Sequence, residues 1–589
     1  MKILLACTSI QDEHRSEGVQ DNHYPLGLAY LQTYIEKHRP DKDKFVNLYL
    51  NNVPYEECYS TLKEALKNFK PQVLGISLMT HSRVSAYKMI EYTHKRYPKI
   101  KIIVGGMHPT VMWEQMAEKY PYITIVRGEG EVTFCNFLNA LENEEPLTEI
   151  LGLAYHDGEK VCTTGTAPLI EDLDDLPFPK HELFLGPENG MANLLTSRGC
   201  PYRCNFCVLD WMSKRVVRFR SGENIADEVE MLLAKFPKVR TIWIHDDAFM
   251  INKDRTIEFC DAIINRGIKT QFIASARFRP ISHEVVFKMK QAGFVQVLFG
   301  LESGADAVIK GMRKGIKKEH VRYGLELFAK AGMKATAFLI AGLPGETSDT
   351  IDETIDFVQQ LQNIEYLYYD DIGVSMVYPG TEMYTMAKET GKIDDDYWLT
   401  DKDVPYYTQE VGGPHTYETL LEFKDRIRKS IALEFLFKKE TFINQRKLIP
   451  KILEYSQKFG MQEINNLLNR AIDYNKLQPQ LAHAAFMGTS PALLELLARA
   501  FENLLVGSII SPQITSESET QEYQVSYDTQ IKKDIEWRKK CEEQQEVIRE
   551  RLSKIEDAGD VAYVKKGNDT VVENVSKNVN FNISTMGGV

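Results

Sequence analysis

Nowhere in the 589 residues does an uncharged apolar run approach the length that crosses a bilayer as a helix. A secretory signal is also missing. MKILLACTSIQDEH carries one lysine and a short apolar run, then turns polar, which reads as a buried first strand. A cytoplasmic location is therefore expected. Basic residues are not in excess: 71 Lys and Arg face 83 Asp and Glu, a formal net charge of −12. That balance argues against broad nucleic-acid binding, which favours a basic face. The nine cysteines are an odd number, and six of them are scattered (Cys7, Cys58, Cys135, Cys162, Cys260 and Cys541), so no disulfide framework is indicated. No internal repeat is found. No Gly-x-Gly-x-x-Gly follows the first strand, which weakens a dinucleotide-binding reading.

What is present has a clear order. Residues 1–150 alternate short apolar runs with amphipathic patterns. Strands are expected at 2–7, 73–78 and 101–106, with a shorter one at 124–131, and helices at 25–38 and 85–97. Strands alternating with helices imply an α/β class and a doubly wound, Rossmann-like domain. Residues 151–190 read as a connector, with a hairpin around Asp157-Gly158 and an acidic, proline-containing linker. Residues 191–400 alternate again, with strands expected at 193–197, 241–246, 271–276, 295–303, 335–342 and 371–379. Six such units suit a complete or partial parallel β/α barrel of the TIM type, whose ligands gather at the carboxyl ends of its strands. Residues 415–505 read as a helical C-terminal domain, 508–520 as a linker, 528–556 as a charged helix, and the stretch from Lys566 as a tail without structure.

The remaining three cysteines fall in SRGCPYRCNFCVLDW, as Cys200-x3-Cys204-x2-Cys207, directly after the first barrel strand. Three thiolates can hold a [4Fe–4S] cluster and leave one iron open. Zinc normally takes four ligands, and no fourth Cys or His lies nearby; His181 and His245 are distant in sequence.

The spacing and its place after a strand resemble the radical S-adenosyl-L-methionine (SAM) superfamily. The resemblance implies that the open iron chelates the methionine part of SAM and that an electron from the cluster cleaves a carbon–sulfur bond. It extends to the other strand ends. It implies SAM contacts for Asp246 and Asp247 after the second strand, Ser275 and Arg277 after the third, and Glu302 after the fourth. Gly342 and Pro344 follow the fifth strand, with Glu346 close by, and Tyr378 follows the sixth.

A doubly wound domain ahead of such a barrel is similar to the cobalamin-binding branch of the superfamily. The matching stretches are YPLGLAYL, VLGISLMTHS, IIVGGMHPT and VRGEGE. They assign to the cofactor Tyr24, Leu26, Gly27, Ser77, Thr80, His81, Ser82, Gly105, Gly106, His108, Gly128 and Glu129. Glycines at 105, 106 and 128 suit close backbone approach to a large planar ligand. Many cobalamin domains use Asp-x-His-x-x-Gly, whose histidine binds cobalt. Asp12-Glu13-His14-Arg15-Ser16-Glu17-Gly18 has one residue too many before the glycine, so His14 is read as a loop residue.

The resemblance implies a cobalamin-dependent radical SAM methyltransferase acting on an unactivated carbon or phosphorus centre. A small-molecule or peptide substrate and an external electron donor would be its partners. The alternatives are a non-methylating relative (ring contraction or oxidative cyclisation) and a SAM- or cobalamin-binding regulator without turnover. Tyr378, Tyr397, Trp398, Tyr406 and Tyr407 are candidates to line a substrate region, although aromatics more often build cores. Serine at Cys200, Cys204 or Cys207 is expected to abolish 5′-deoxyadenosine formation by the anaerobically reconstituted chain. Reductive SAM cleavage surviving in those variants would contradict the assignment.

Overall fold

The computed structural model describes residues 1–8, 24–50, 55–361, 364–369 and 372–437, together with the short stretches 561–566, 569–574 and 578–579. His14, most of the expected helical domain and the expected helix at 528–556 lie outside the described residues.

The first sheet contains β1 (Lys2–Cys7), β2 (Lys44–Tyr49), β3 (Val73–Ser77), β4 (Lys101–Gly105), β5 (Ile123–Val126), β6 (Leu153–His156) and β7 (Val161–Thr163). Their order is β2-β1-β3-β4-β5-β6-β7, with β1 to β5 parallel and the last two strands antiparallel. The expected hairpin around Asp157-Gly158 is β6–β7, and it extends this sheet instead of belonging to a connector. The second strand was not expected from the sequence; KFVNLY places the polar Asn47 mid-run, where its side chain is buried and bonded to Gln32.

Burial on both faces explains why β1 reads as an unbroken apolar run. Ile3 and Leu5 face a core shared with the second domain, whereas Leu4 and Ala6 face a separate core. In an order of this kind the crossovers reverse direction between β1 and β3, and ligands gather beyond the carboxyl ends of the strands at that point.

The second domain begins with β8 (Met191–Leu194), followed by β9 (Ser197–Arg198) and β10 (Arg218–Phe219), which pair only with each other. Then come β11 (Thr241–Ile244), β12 (Gln271–Ala276), β13 (Phe294–Glu302), β14 (Lys334–Ala341), β15 (Leu367–Tyr369) and β16 (Gly373–Val374). The parallel order β8-β11-β12-β13-β14-β15 forms a partial barrel. Side-chain caps mark helix starts between the strands: Ser221, Asn252 and Ser282 each accept a backbone N–H three residues on.

The sixth strand corrects the sequence expectation of 371–379. Chain pairing to β14 comes in two short pieces, at 367–369 and 373–374, separated by the acidic Asp370-Asp371 pair. Burial of Leu367 and Tyr368 anchors the earlier piece. The tail likewise differs from the structureless stretch expected from Lys566. Strands at 561–566 and 569–574 pair antiparallel.

After the barrel the chain returns to the first domain. Val377, Met383, Tyr384 and Trp398 join the core on the outer face of the first sheet. Trp398 is fully buried, and its carbonyl accepts from Arg83 Nε at 3.2 Å and Tyr87 Oη at 3.1 Å. Burial lowers the Arg83 pKa, and the carbonyls of Thr80, Trp398 and Lys402 solvate its guanidinium in place of water. The clasp is therefore both apolar and hydrogen-bonded. Trp398→Ala is expected to cost about 3–5 kcal/mol through the cavity it leaves. Urea unfolding checks this, and an unchanged midpoint would contradict the packing role.

Candidate functional site

The cysteine loop, 199–217, is closed at its base by the β9–β10 ladder, in which Arg198 lies directly opposite Arg218. Like charges in that register repel. Two carboxylates from the first domain resolve the conflict. Glu129 takes Arg218 through both oxygens, at 2.7 and 2.8 Å, and Arg198 Nη1 at 3.2 Å. Glu131 takes Arg198 Nη2 at 2.6 Å. Burial works against ionisation of Glu129, but Arg218 and Arg198 outweigh it and hold its carboxyl below the usual range. The loop carrying the cysteines is thus tied to the loop leaving β5.

Within the loop, Gly199 adopts φ +101°, and a Cβ there would lie 2.1 Å from the Val216 carbonyl oxygen. Only glycine permits that approach. The Gly199 N–H donates to Asp247 at 3.0 Å, and burial raises the Asp247 carboxyl to about 6. Cys200, Cys204 and Cys207 are all half-buried, and burial pushes the Cys207 thiol up to about 11. Arg277 approaches Cys204 Sγ at 3.6 Å while stacking on Tyr202 at 3.6 Å from the ring centroid. Three thiols on one loop, with a cation beside one sulfur, have the donor chemistry of an iron–sulfur ligand set. Among the described residues no three such side chains are drawn together closely enough in this structure to hold a metal ion.

A cleft of about 1310 Å³ separates this loop from the carboxyl ends of β3, β4 and β5. Ser77, Gly105, Gly106 and Gly128 line one side, and Arg198, Gly199, Leu209 and Met212 the other. A Cβ at Gly27 or Gly128 would meet nothing within 4 Å, so both leave open floor in the cleft. That fits a broad planar ligand such as a corrin. No histidine is among the described residues lining the cleft.

The expected site residues divide into two groups. Leu26, Gly27, Ser77, Gly105, Gly106, Gly128, Glu129 and Asp247 line the cleft. Others are engaged by protein groups in this structure. Tyr24 is buried, with its hydroxyl 2.6 Å from His181 Nδ1, and His181 Nε2 meets Glu228 at 2.7 Å. Thr80 and Tyr87 hold the two nitrogens of fully buried His108, whose pKa falls to about 3 through burial. Ser82 caps its own turn through Met79. His81 Nε2 reaches Tyr378 Oη at 2.7 Å, a link between the two domains.

On the barrel side, the Asp246 carboxylate accepts from the backbone and hydroxyl groups of Thr196 and Ser197 and shapes the exit of β8. Glu302 is buried in an ion pair with Lys314. Gly342 donates to Glu346, which burial raises to about 7, and Leu420 of the helix Tyr417–Phe437 packs over it. Ser275 and Pro344 stand outside the cleft lining. Of the aromatic candidates, Trp398 and Tyr407 are core residues. Sequence reasoning missed Arg198, Arg218 and Glu131. Their signal was the charge alternation of SRGC and VRGEGE, visible only once the two loops are seen to face each other.

Glu129→Gln is expected to destabilise the chain by about 3–5 kcal/mol by leaving buried arginines under-compensated. The ionised Glu129 contributes stability that is present above its unfolded pKa and is lost as pH falls through its lowered folded value. The variant should therefore lose less stability on acidification than the parent. Thermal unfolding across pH checks this, and parallel curves would contradict it.

Comparison with known proteins agrees with this geometry. The Radical SAM superfamily profile matches residues 194–358, and that of the B12 binding domain matches residues 18–138. The chain is 30% identical over 370 residues to an uncharacterized methyltransferase of Pyrococcus horikoshii, covering 62% of this chain and 78% of that protein. It is 28% identical to the anaerobic magnesium-protoporphyrin IX monomethyl ester cyclase of Cereibacter sphaeroides, over 56% of this chain and 55% of the cyclase. The cobalamin-dependent SAM radical enzyme OxsB, solved with aqua-cobalamin and SAM, superposes with a TM-score of 0.59 at 18% identity, covering 92% of this chain and 83% of that one. Among the described residues no helix is long and apolar enough to cross a membrane. The chain belongs to the radical SAM superfamily, in the branch that joins the radical SAM barrel to a B12-binding domain.

Proposed function

We propose that this chain transfers a methyl group from SAM to an unactivated carbon or phosphorus centre of a small-molecule or peptide substrate. One observation carries the reading: a single cleft is lined both by the strand ends of the B12-binding domain and by Gly199, Leu209 and Met212, which flank the three cysteines on their loop. When bound, the cluster supplies the electron that cleaves SAM, and the cobalamin supplies the methyl group.

The chain's own part is positioning and exclusion of water. Cys200, Cys204 and Cys207 would hold the cluster, and Arg277 sits beside the Cys204 sulfur. Asp247 fixes Gly199 at the start of the cluster loop. Gly27 and Gly128 leave room for the corrin, and Ser77 offers a hydroxyl at the end of β3. Leu5, Leu31, Val126, Phe134, Leu209 and Met212 give the cleft apolar walls. Such walls protect a reactive radical from side reactions. An external electron donor must reduce the cluster.

The test is anaerobic incubation of the reconstituted chain with reductant and SAM bearing a trideuterated methyl group. S-adenosylhomocysteine is expected to form in stoichiometric amount with bound cobalamin before any substrate is added. Once a substrate is found, its product should gain the labelled methyl group while 5′-deoxyadenosine accumulates. 5′-Deoxyadenosine with neither S-adenosylhomocysteine nor label transfer would contradict methyl transfer and favour a cyclisation or ring contraction.

A further inference from the structure

Beside the cleft lies an open groove of about 1060 Å³ that shares a wall with it at Gly128, Glu129 and Met212. Its cations are Arg127, Lys214 and Arg215, and its acids are Glu129 and Asp210. Both acids are engaged: Glu129 lies between Arg198 and Arg218, and Asp210 takes Arg215 Nε at 2.9 Å. Arg127 and Lys214 have no carboxylate partner among the described residues. Arg127 lies over the Trp113 ring at 4.5 Å and donates Nη1 to Thr163 Oγ1 at 2.8 Å, but its buried Nε has no hydrogen-bond partner among the described residues. Among the described residues, Lys214 Nζ reaches only the Ala167 carbonyl, at 3.3 Å. In a chain of net charge −12 this is a local reversal of sign.

The backbone marks the same place. Lys214 and Arg215 are successive non-glycine residues with φ of 51° and 62°. Left-handed backbone is uncommon outside glycine, and it clusters at ligand clamps. The turn they form ends at Val216, whose carbonyl packs against Gly199, one residue before Cys200. The groove is thus built from the underside of the cluster loop.

We propose that the groove seats the phosphate of a phosphorylated small-molecule substrate, with Arg127 and Lys214 as counter-charges, while the rest of the substrate reaches past Gly128 and Met212 into the cleft. The inference rests on the cleft being the reaction chamber. A guanidinium and a lysine from separate elements suit a tetrahedral dianion with several acceptor oxygens. Trp211, 44% exposed at the rim, offers a flat apolar surface for the adjoining part of the molecule. The nucleotide loop of cobalamin also carries a phosphate, so the test separates the two sources.

Inorganic phosphate is titrated calorimetrically into the full-length reconstituted chain holding cobalamin, and into the same chain holding cobinamide, which lacks the nucleotide loop. Phosphate is expected to bind with either corrinoid. Arg127→Gln and Lys214→Gln should each weaken it by about tenfold, the loss of one charge-assisted hydrogen bond. Lys214 is exposed, so its substitution leaves the core intact, and circular dichroism checks both variants. Equal binding by parent and variants, or none by the parent, overturns the proposal. Binding to the cobinamide form alone also overturns it, because the groove then belongs to the cofactor. SAM cleavage by the unmutated chain is measured separately. Cleavage without phosphate binding sinks the groove alone, whereas phosphate binding without cleavage sinks the reading of the cleft and with it the substrate role.

Discussion

Everything about the site depends on two arginines that face each other across a two-residue ladder. Arg198 and Arg218 close the base of the cysteine loop, and alone they would force it open. The carboxylates that neutralise them come from the other domain, on the loop after β5. Folding of the cluster loop is therefore coupled to docking of the B12-binding domain. The bond also sets direction. Because Glu129 follows Gly128 and Arg198 precedes Gly199, the ion pairs hold the glycine floor of the cleft against the start of the cysteine loop.

Around that centre the remaining contacts act as braces. His81 and Tyr378 join the domains at one side, and Arg83 with Trp398 joins them at the outer face. Tyr24, His181 and Glu228 run a buried polar line from the first domain through the connector to a barrel helix. Buried polar groups of this kind are costly unless all partners are in place. They favour one relative placement of the domains over many.

Much of this was legible in the sequence. Buried parallel strands announce themselves as continuous apolar runs, so β1, β3, β4 and most barrel strands fall within a few residues of expectation. The cysteine spacing also stands out, because it is local. What could not be read was long-range. Which side chains meet Tyr24 and His108 depends on what packs opposite: His181 meets Tyr24, and Thr80 meets His108. Asp246 and Asp247 are neighbours with the same charge, yet one turns inward to Thr196 and Ser197 while the other faces the cleft. The sixth strand was misplaced because the apolar pattern continues to 379, whereas pairing with β14 starts at Leu367 and ends at Val374.

The proposed function needs the cluster loop to stand at the wall of the cleft that takes the corrin. Electron paramagnetic resonance of the chain carrying the reduced cluster together with cob(II)alamin tests it most directly. The account predicts spectra split and broadened by magnetic coupling between the two centres, with the coupling lost when either is absent. Two superimposed, independent signals, with relaxation unaffected by each other, would contradict it.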